Sequence, residues 1–452
     1  MLILIFVAVC ALSYFWFSGK YLELFISKNP VITLTSQGFQ PKNIIIKKNT
    51  EVTFKNNLEA NFWPASNAHP FHDLYSAFDP KKSLNSNETW LFKFEQVGIW
   101  DFHDHLKPNL KGTITVLSDL GKLPSLDDCS TLKGDEQNNC IYQGIKKTIE
   151  KKGLKKGFDK FSKLYSEYGR DFDIDCHEIS HLIGKISYEE YRKNKLVDLP
   201  PETISMCGYG FFHGYVETLI SEGEDLSVAK DFCERYKNNI DGLESTCFHG
   251  IGHAIFDTRD FSLWGDDKLL VDQSIGLCRE LGKISEYVEA PLWCADGVYS
   301  SLGIAYFNNF YGLSFDKANP FKLCDIQPEE FKENCYYSPG TLWIKKERGI
   351  NFGLSEAVKL SKEIKYEKGL RMFFINLTQE YYKGHMDSKK PIDIFKECQS
   401  LIPSYLDSCI KGVYQGMTAT NSKLSNDDIK NLCDSTHVLG DNFKLLCYKA
   451  LE

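Results

Sequence analysis

Residues 98–116 read GIWDFHDHLKPNLKGTITV. The two ends of this stretch, Gly98-Ile99-Trp100-Asp101-Phe102 and Gly112-Thr113-Ile114-Thr115-Val116, are rich in aromatic and β-branched residues, the composition of strands. Between them, His103 and His105 flank Asp104. On a strand, residues two apart project from one face, so both imidazoles point the same way. An earlier segment, residues 63–72, reads WPASNAHPFH and adds His69 and His72. Four of the chain's eleven histidines therefore fall in two short segments at the ends of strand-like runs. Imidazole is the commonest metal-ligating side chain. Loops carried by a sheet can bring His69, His72, His103 and His105 to one ion. Asp104 is then a fifth ligand or an acceptor that fixes an imidazole tautomer.

Outward from this stretch, Val31–Thr35, Asn43–Ile46, Glu51–Phe54 and Thr89–Phe94 have the same character. They are split by turn residues such as Lys48-Asn49-Thr50 and Asn56-Asn57. Six short strands between Pro30 and Leu117 predict an all-β sandwich.

The order of these runs resembles the cupredoxin superfamily. The resemblance rests on Gly38-Phe39-Gln40-Pro41, Ile44 to Asn57, Phe78-Asp79-Pro80, Phe92-Lys93-Phe94, Gly98 to Phe102 and the closing Gly112 to Val116. It implies a Greek-key sandwich with a copper site. In that family one ligand His comes from mid-domain, where His72 stands. A Cys, a second His and usually a Met come from the last loop. Those three positions hold Asp104, Lys107 and Leu110 here. Residues 30–117 contain no Cys and no Met, so the thiolate of a blue-copper centre is missing. Four imidazoles suit a tetragonal copper(II) site, and zinc(II) accepts the same set. A cupredoxin fold without metal, its histidines kept for packing, is the competing reading.

After a linker at 118–125, residues 126–452 show a different rhythm. Cys140, Cys176, Cys207, Cys247, Cys294, Cys335, Cys409 and Cys447 recur at steps of 31 to 47, save one double step whose midpoint is Met372. Repeats of this length in a helical pattern predict stacked helical hairpins, an all-α solenoid or toroid-like domain. Six of these cysteines have an earlier companion: Cys129/Cys140, Cys233/Cys247, Cys278/Cys294, Cys324/Cys335, Cys398/Cys409 and Cys433/Cys447. The gaps of 11 to 16 residues predict a disulfide stapling each hairpin. Cys176 and Cys207 lack such companions and are expected to bond each other. Three early units carry polar pairs four apart, on one helical face: His177/His181, His213/Glu217 and His249/His253. With Glu178 they form a second candidate metal or acid–base set. Helix caps and inter-repeat hydrogen bonds explain the same residues equally well.

Residues 1–19 carry no charge and would span about 28 Å as a helix, close to a bilayer core. They are expected to be a membrane anchor, with a cleaved signal peptide as the alternative. Either places the rest outside the cytoplasm, where the fourteen cysteines that remain once Cys10 is set aside become disulfides. A net charge of −8 with no basic block gives nucleic-acid binding no support. Three functions follow. One is an anchored extracytoplasmic copper protein, for copper handling or electron transfer, whose helical array docks a protein partner. The second is a metal-dependent enzyme centred on the helical histidines, and the third a structural surface protein.

Overall fold

In a computed structural model of the chain, the residues described are 26–450, apart from 68, 70–71, 169–175, 195–209, 236–242, 258–260, 317, 350 and 421–425. Residues 1–19, expected to form a membrane anchor, lie outside them. No helix among the described residues is long and apolar enough to cross a membrane.

The strand-rich region forms two four-stranded sheets. One has the order β2-β1-β4-β6, built from β1 (Val31–Thr35), β2 (Gly38–Gln40), β4 (Thr50–Asn56) and β6 (Thr89–Phe94). The other has the order β3-β8-β7-β5, built from β3 (Asn43–Lys47), β5 (Pro64–Ser66), β7 (Gly98–Asp104) and β8 (Lys107–Leu117). β1 pairs parallel with β4, and β3 with β8; the remaining pairings are antiparallel. Strand alternation selects the core. Ile32, Leu34, Ile44, Ile46, Val52, Phe54, Ile114 and Val116 turn inward, while their neighbours in sequence are less buried. Phe78, Trp100 and Phe102 complete an aromatic centre in which Phe54 meets Phe102 edge to face.

The β7–β8 connection is short. β8 begins at Lys107, so only His105 and Leu106 separate it from β7, with a bulge at His103/Asp104. The last loop of the resemblance is thus reduced to a tight turn. Lys107 and Leu110 become strand residues.

The chain divides into two compact units between Ile174 and Asp175. The sequence had placed the division at the 118–125 linker. The structure instead gives α1 (Gly134–Lys152) and α2 (Leu154–Tyr168) to the sandwich unit. The reason is a polar seam along α1. Gln143 Nε2 donates to the Ile99 carbonyl at 2.9 Å, and Lys146 Nζ pairs with Asp101 Oδ2 at 2.7 Å. Glu136 Oε1 accepts from the Val97 amide at 2.7 Å. These contacts satisfy backbone groups that the sheet edge leaves open.

The second unit is helical. Its helices are α3 (Cys176–Asn194), α4 (Gly210–Ser221), α5 (Leu226–Arg235), α6 (Leu243–Phe256), α7 (Asp267–Ile284) and α8 (Ala290–Asn308). Then follow α9 (Lys322–Asp325), α10 (Glu329–Tyr337), α11 (Pro339–Arg348), α12 (Leu354–Leu360) and α13 (Glu367–His385). α14 (Pro391–Leu401), α15 (Leu406–Thr420), α16 (Asn426–Ser435) and α17 (Asp441–Ala450) close it. One row runs α3, α4, α6, α8, α10, α13, α15, α17, each helix against the next. All six expected cysteine couples are disulfides. Five of them tie a row helix to the helix before it. The expected Cys176–Cys207 bond lies outside the described residues. Glycines permit the close row contacts. A Cβ on Gly214 would lie 1.8 Å from the His181 carbonyl oxygen, and one on Gly297 1.9 Å from that of His249.

Candidate metal centre

Two segments meet at one end of the sandwich. β7 and its turn deliver His103 and His105. The stretch after β5 delivers His69 and His72. His72 adopts a left-handed backbone conformation, φ 58°, at the entry to the 3-10 turn Asp73–Tyr75. Residues other than glycine are held there only where the surroundings fix them, and such positions concentrate at functional sites.

The four imidazoles converge. One ring nitrogen from each of His69, His72, His103 and His105 lies within 4.8 Å of the other three. His69 Nδ1 and His103 Nε2 are 3.1 Å apart, and His105 Nδ1 and His72 Nε2 are 3.0 Å apart. Nitrogens bound about 2.0 Å from one ion lie roughly 2.8–3.3 Å from their nearest partners, from square-planar to tetrahedral geometry. The two short separations fit that range. His72, His103 and His105 are buried, and His69 is half-buried.

The outward-facing nitrogens are also held. His72 Nδ1 meets Asp79 Oδ2 at 2.7 Å, and His103 Nδ1 meets Asn67 Oδ1 at 3.0 Å. An acceptor on one ring nitrogen leaves the other as the lone-pair donor, the usual arrangement behind a metal-bound histidine. Asp79 Oδ1 accepts from Trp63 Nε1 at 2.8 Å, and Lys81 Nζ stands 2.9 Å from Oδ2. Burial opposes ionisation of Asp79, but the His72 hydrogen bond and charge, with Lys81, outweigh it and hold the carboxyl well below its ordinary range. Burial pushes His103 well below the ordinary imidazole value, and the neighbouring His69, His72 and His105 add to the effect. Its neutral form is the one that ligates. Trp63 covers the cluster, its ring 4.5 Å from that of His105. Tyr75 and Phe78 lie in the core, as expected, and Phe71 is outside the described residues.

Asp104 is corrected. It is not in the convergent group. Its Oδ1 accepts from the backbone amides of Trp63 and Leu106 at 3.0 and 3.2 Å. These two hydrogen bonds tie the start of β5 to the turn. Asp79 is the carboxylate behind His72. The sequence reading had quoted Phe78-Asp79-Pro80 but given Asp79 no role; its place seven residues beyond His72 was the available signal.

The second set is only partly assembled. His181 Nε2 pairs with Glu217 Oε1, and Lys185 Nζ with Glu217 Oε2, both at 3.2 Å. Glu217 is held at about 2: burial opposes this shift, while His181 and Lys185 outweigh it. His181 and Lys185 on α3 thus both meet Glu217 on α4. His249 and His253 face α8, where His249 Nδ1 meets Asp296 Oδ2 at 2.9 Å and His253 Nδ1 meets Ser301 Oγ at 2.6 Å. Asp296 and Ser301 were not read from the sequence. The side chains of His177 and Glu178 lie outside the described residues.

Solved structures similar to the chain include cupredoxins. A Cu(I) form of an amicyanin variant matches at 16% identity and TM-score 0.17, over 20% of this chain and 83% of amicyanin. A purple cupredoxin from Nitrosopumilus maritimus matches at 18% identity and TM-score 0.17, over 20% of this chain and 99% of that protein. No family model and no curated protein matches the chain.

Proposed function

We propose that the sandwich binds one copper ion through His69, His72, His103 and His105, and that the protein handles copper outside the cytoplasm. The observation that carries this reading is the convergence of four ring nitrogens within 4.8 Å, three of their rings buried. Burying imidazoles around one point is unfavourable unless each polar atom has a partner, and a shared cation supplies one. The donor set is all nitrogen, which favours copper(II) over copper(I). With no thiolate or thioether in residues 30–117, the centre is suited to binding and passing on copper rather than to blue-copper electron transfer. Zinc(II) is the competing ion.

Six disulfides among the described residues support an oxidising compartment. On this reading residues 1–19 hold the protein at a membrane, and the helical unit docks a protein partner.

The test is copper(II) titration of the full chain, followed by electron paramagnetic resonance. The expected result is a tetragonal signal with nitrogen superhyperfine structure, abolished by His69→Ala with His103→Ala. A signal unchanged in that double variant, or no retained copper in the unaltered chain, sinks the proposal.

A further inference from the structure

We propose that His249, His253 and His213 form a second transition-metal site, of zinc(II) type, within the helical unit. The proposal is independent of the sandwich site.

His249 and His253 stand four apart on α6, the spacing by which a helix offers two ligands to one ion. Their Nε2 atoms lie 2.9 Å apart. Two nitrogens about 2.0–2.1 Å from one metal and this far apart subtend roughly 90° at it, within the range of four- and five-coordinate zinc. Each ring is fixed from behind. The Asp296 carboxylate accepts from His249 Nδ1–H, which leaves His249 Nε2 as a lone-pair donor aimed at His253. Ser301 Oγ holds His253 Nδ1.

The third ring comes from α4. The His213 ring centroid is 5.1 Å from that of His249 and 5.5 Å from that of His253, and the latter two are 4.6 Å apart. In the sandwich the His105 ring lies 4.8 and 4.9 Å from those of His69 and His72. The three rings are therefore mutual neighbours, with centroid separations of 4.6 to 5.5 Å. Gly250 makes this possible: a Cβ there would stand 3.0 Å from the His213 Cα, so α4 and α6 meet where the rings sit. His213 and His253 are buried, whereas the side chains of His249 and Asp296 are 20% and 29% exposed. Three imidazoles with access to solvent on one side match a zinc site that keeps a position for water or an added ligand. Without metal, one proton between the two Nε2 atoms completes the chain from Asp296 to Ser301. A metal ion takes the place of that proton.

The experiment uses the full, disulfide-intact chain carrying His69→Ala and His103→Ala, so that the sandwich ligands are disabled. Cobalt(II) alone is the probe, followed by equilibrium dialysis and visible absorption. The expected result is one cobalt per chain, with the strong ligand-field bands of four- or five-coordination. His253→Gln in that background abolishes binding. Asp296→Asn, a partly exposed substitution that leaves α6 intact, weakens it by about 10–100-fold. No bound cobalt in the first variant, or binding that His253→Gln does not alter, overturns the proposal. If His253→Gln fails to fold, an unchanged affinity in Asp296→Asn overturns it.

Discussion

The sandwich and the helical unit both gather histidines, and they gather them differently. In the sandwich, two turns at one end of a sheet bring His69, His72, His103 and His105 together, with no regular spacing between them in the chain. In the helical unit the spacing is regular, set by the turn of a helix and the step between row helices. Regularity places side chains along a row, where they meet partners on neighbouring helices: His181 with Glu217, His249 with Asp296, His253 with Ser301. Turns gather side chains from two short segments, whereas the repeat gathers them from successive helices. The two regions also differ in what stabilises them. The sandwich strands hold no cysteine and rely on aromatic packing; the helical unit has five of the six disulfides among the described residues.

That difference gives the largest expected effect. Each hairpin disulfide closes 11 to 16 residues. Loops of this size contribute about 3 kcal/mol each in the chain-entropy model. Five together are on the order of the whole stability of a domain. Reduction under native conditions is expected to remove the helical circular dichroism while the sandwich stays folded, its buried Trp63 and Trp100 still shielded from quenchers. Simultaneous loss of both signals breaks the comparison.

The next effect tests the row contacts. Gly297→Ala places a methyl group 1.9 Å from the His249 carbonyl oxygen, where only backbone can yield. α6 and α8 must separate, at a cost of about 3 kcal/mol. Gly276→Ala in α7 meets nothing within 4 Å and is expected to stabilise by roughly 0.5–1 kcal/mol, through helix propensity. Thermal unfolding of the two variants should shift in opposite directions. Equal shifts would show that the row tolerates spreading.

Much of this was readable beforehand, for physical reasons. β-branched alternation marked six strands, and cysteine spacing marked six disulfides. β2 and β5 were missed because GFQ and PAS are three residues long and carry no β-branched side chain. The four sandwich histidines were legible because they cluster in sequence. Asp79 and Asn67 were not, because a tautomer-fixing acceptor needs only one oxygen in the right place and leaves no periodic trace. Asp104 stands between two of the four histidines in sequence, yet its Oδ1 is taken by the Trp63 and Leu106 amides. In the helical unit the repeat itself held a signal that went unused. Asp296 stands two residues after Cys294, as His249 stands two after Cys247, so the helical face that pairs on both sides of the contact was recoverable by aligning the units.

Carboxylates sharpen the same contrast. Glu380 on α13 faces two lysines rather than an imidazole: Lys345 at 2.7 Å and Lys383 at 2.9 Å. Burial opposes its ionisation, but Lys383 and Lys345 outweigh burial and hold it at about 2. A carboxyl lowered on folding contributes stability above its unfolded value, and that contribution is lost as pH falls toward the folded one. The expected contribution is on the order of 2 kcal/mol at neutral pH, fading between about pH 4.5 and 2. Glu380→Gln should flatten the acid limb of helical-unit stability. An identical slope in variant and parent would assign that limb to other groups.

The smallest effect separates the two aspartates at the sandwich site. Asp79→Asn keeps an oxygen for the Lys81 amide and the Trp63 indole but removes the charge behind His72 Nδ1. Losing such a partner weakens metal binding by about 10–100-fold, roughly 1.4–2.7 kcal/mol. Asp104→Asn retains an oxygen for the Trp63 and Leu106 amides and lies outside the convergent group. Its copper(II) affinity should stay within about threefold of the parent, less than 1 kcal/mol. Competition titration against a chelator of known strength measures both. If Asp104→Asn proves the more damaging, the carboxylate that orients the imidazoles is the one inside the strand, and Asp79 serves Trp63 and Lys81 alone.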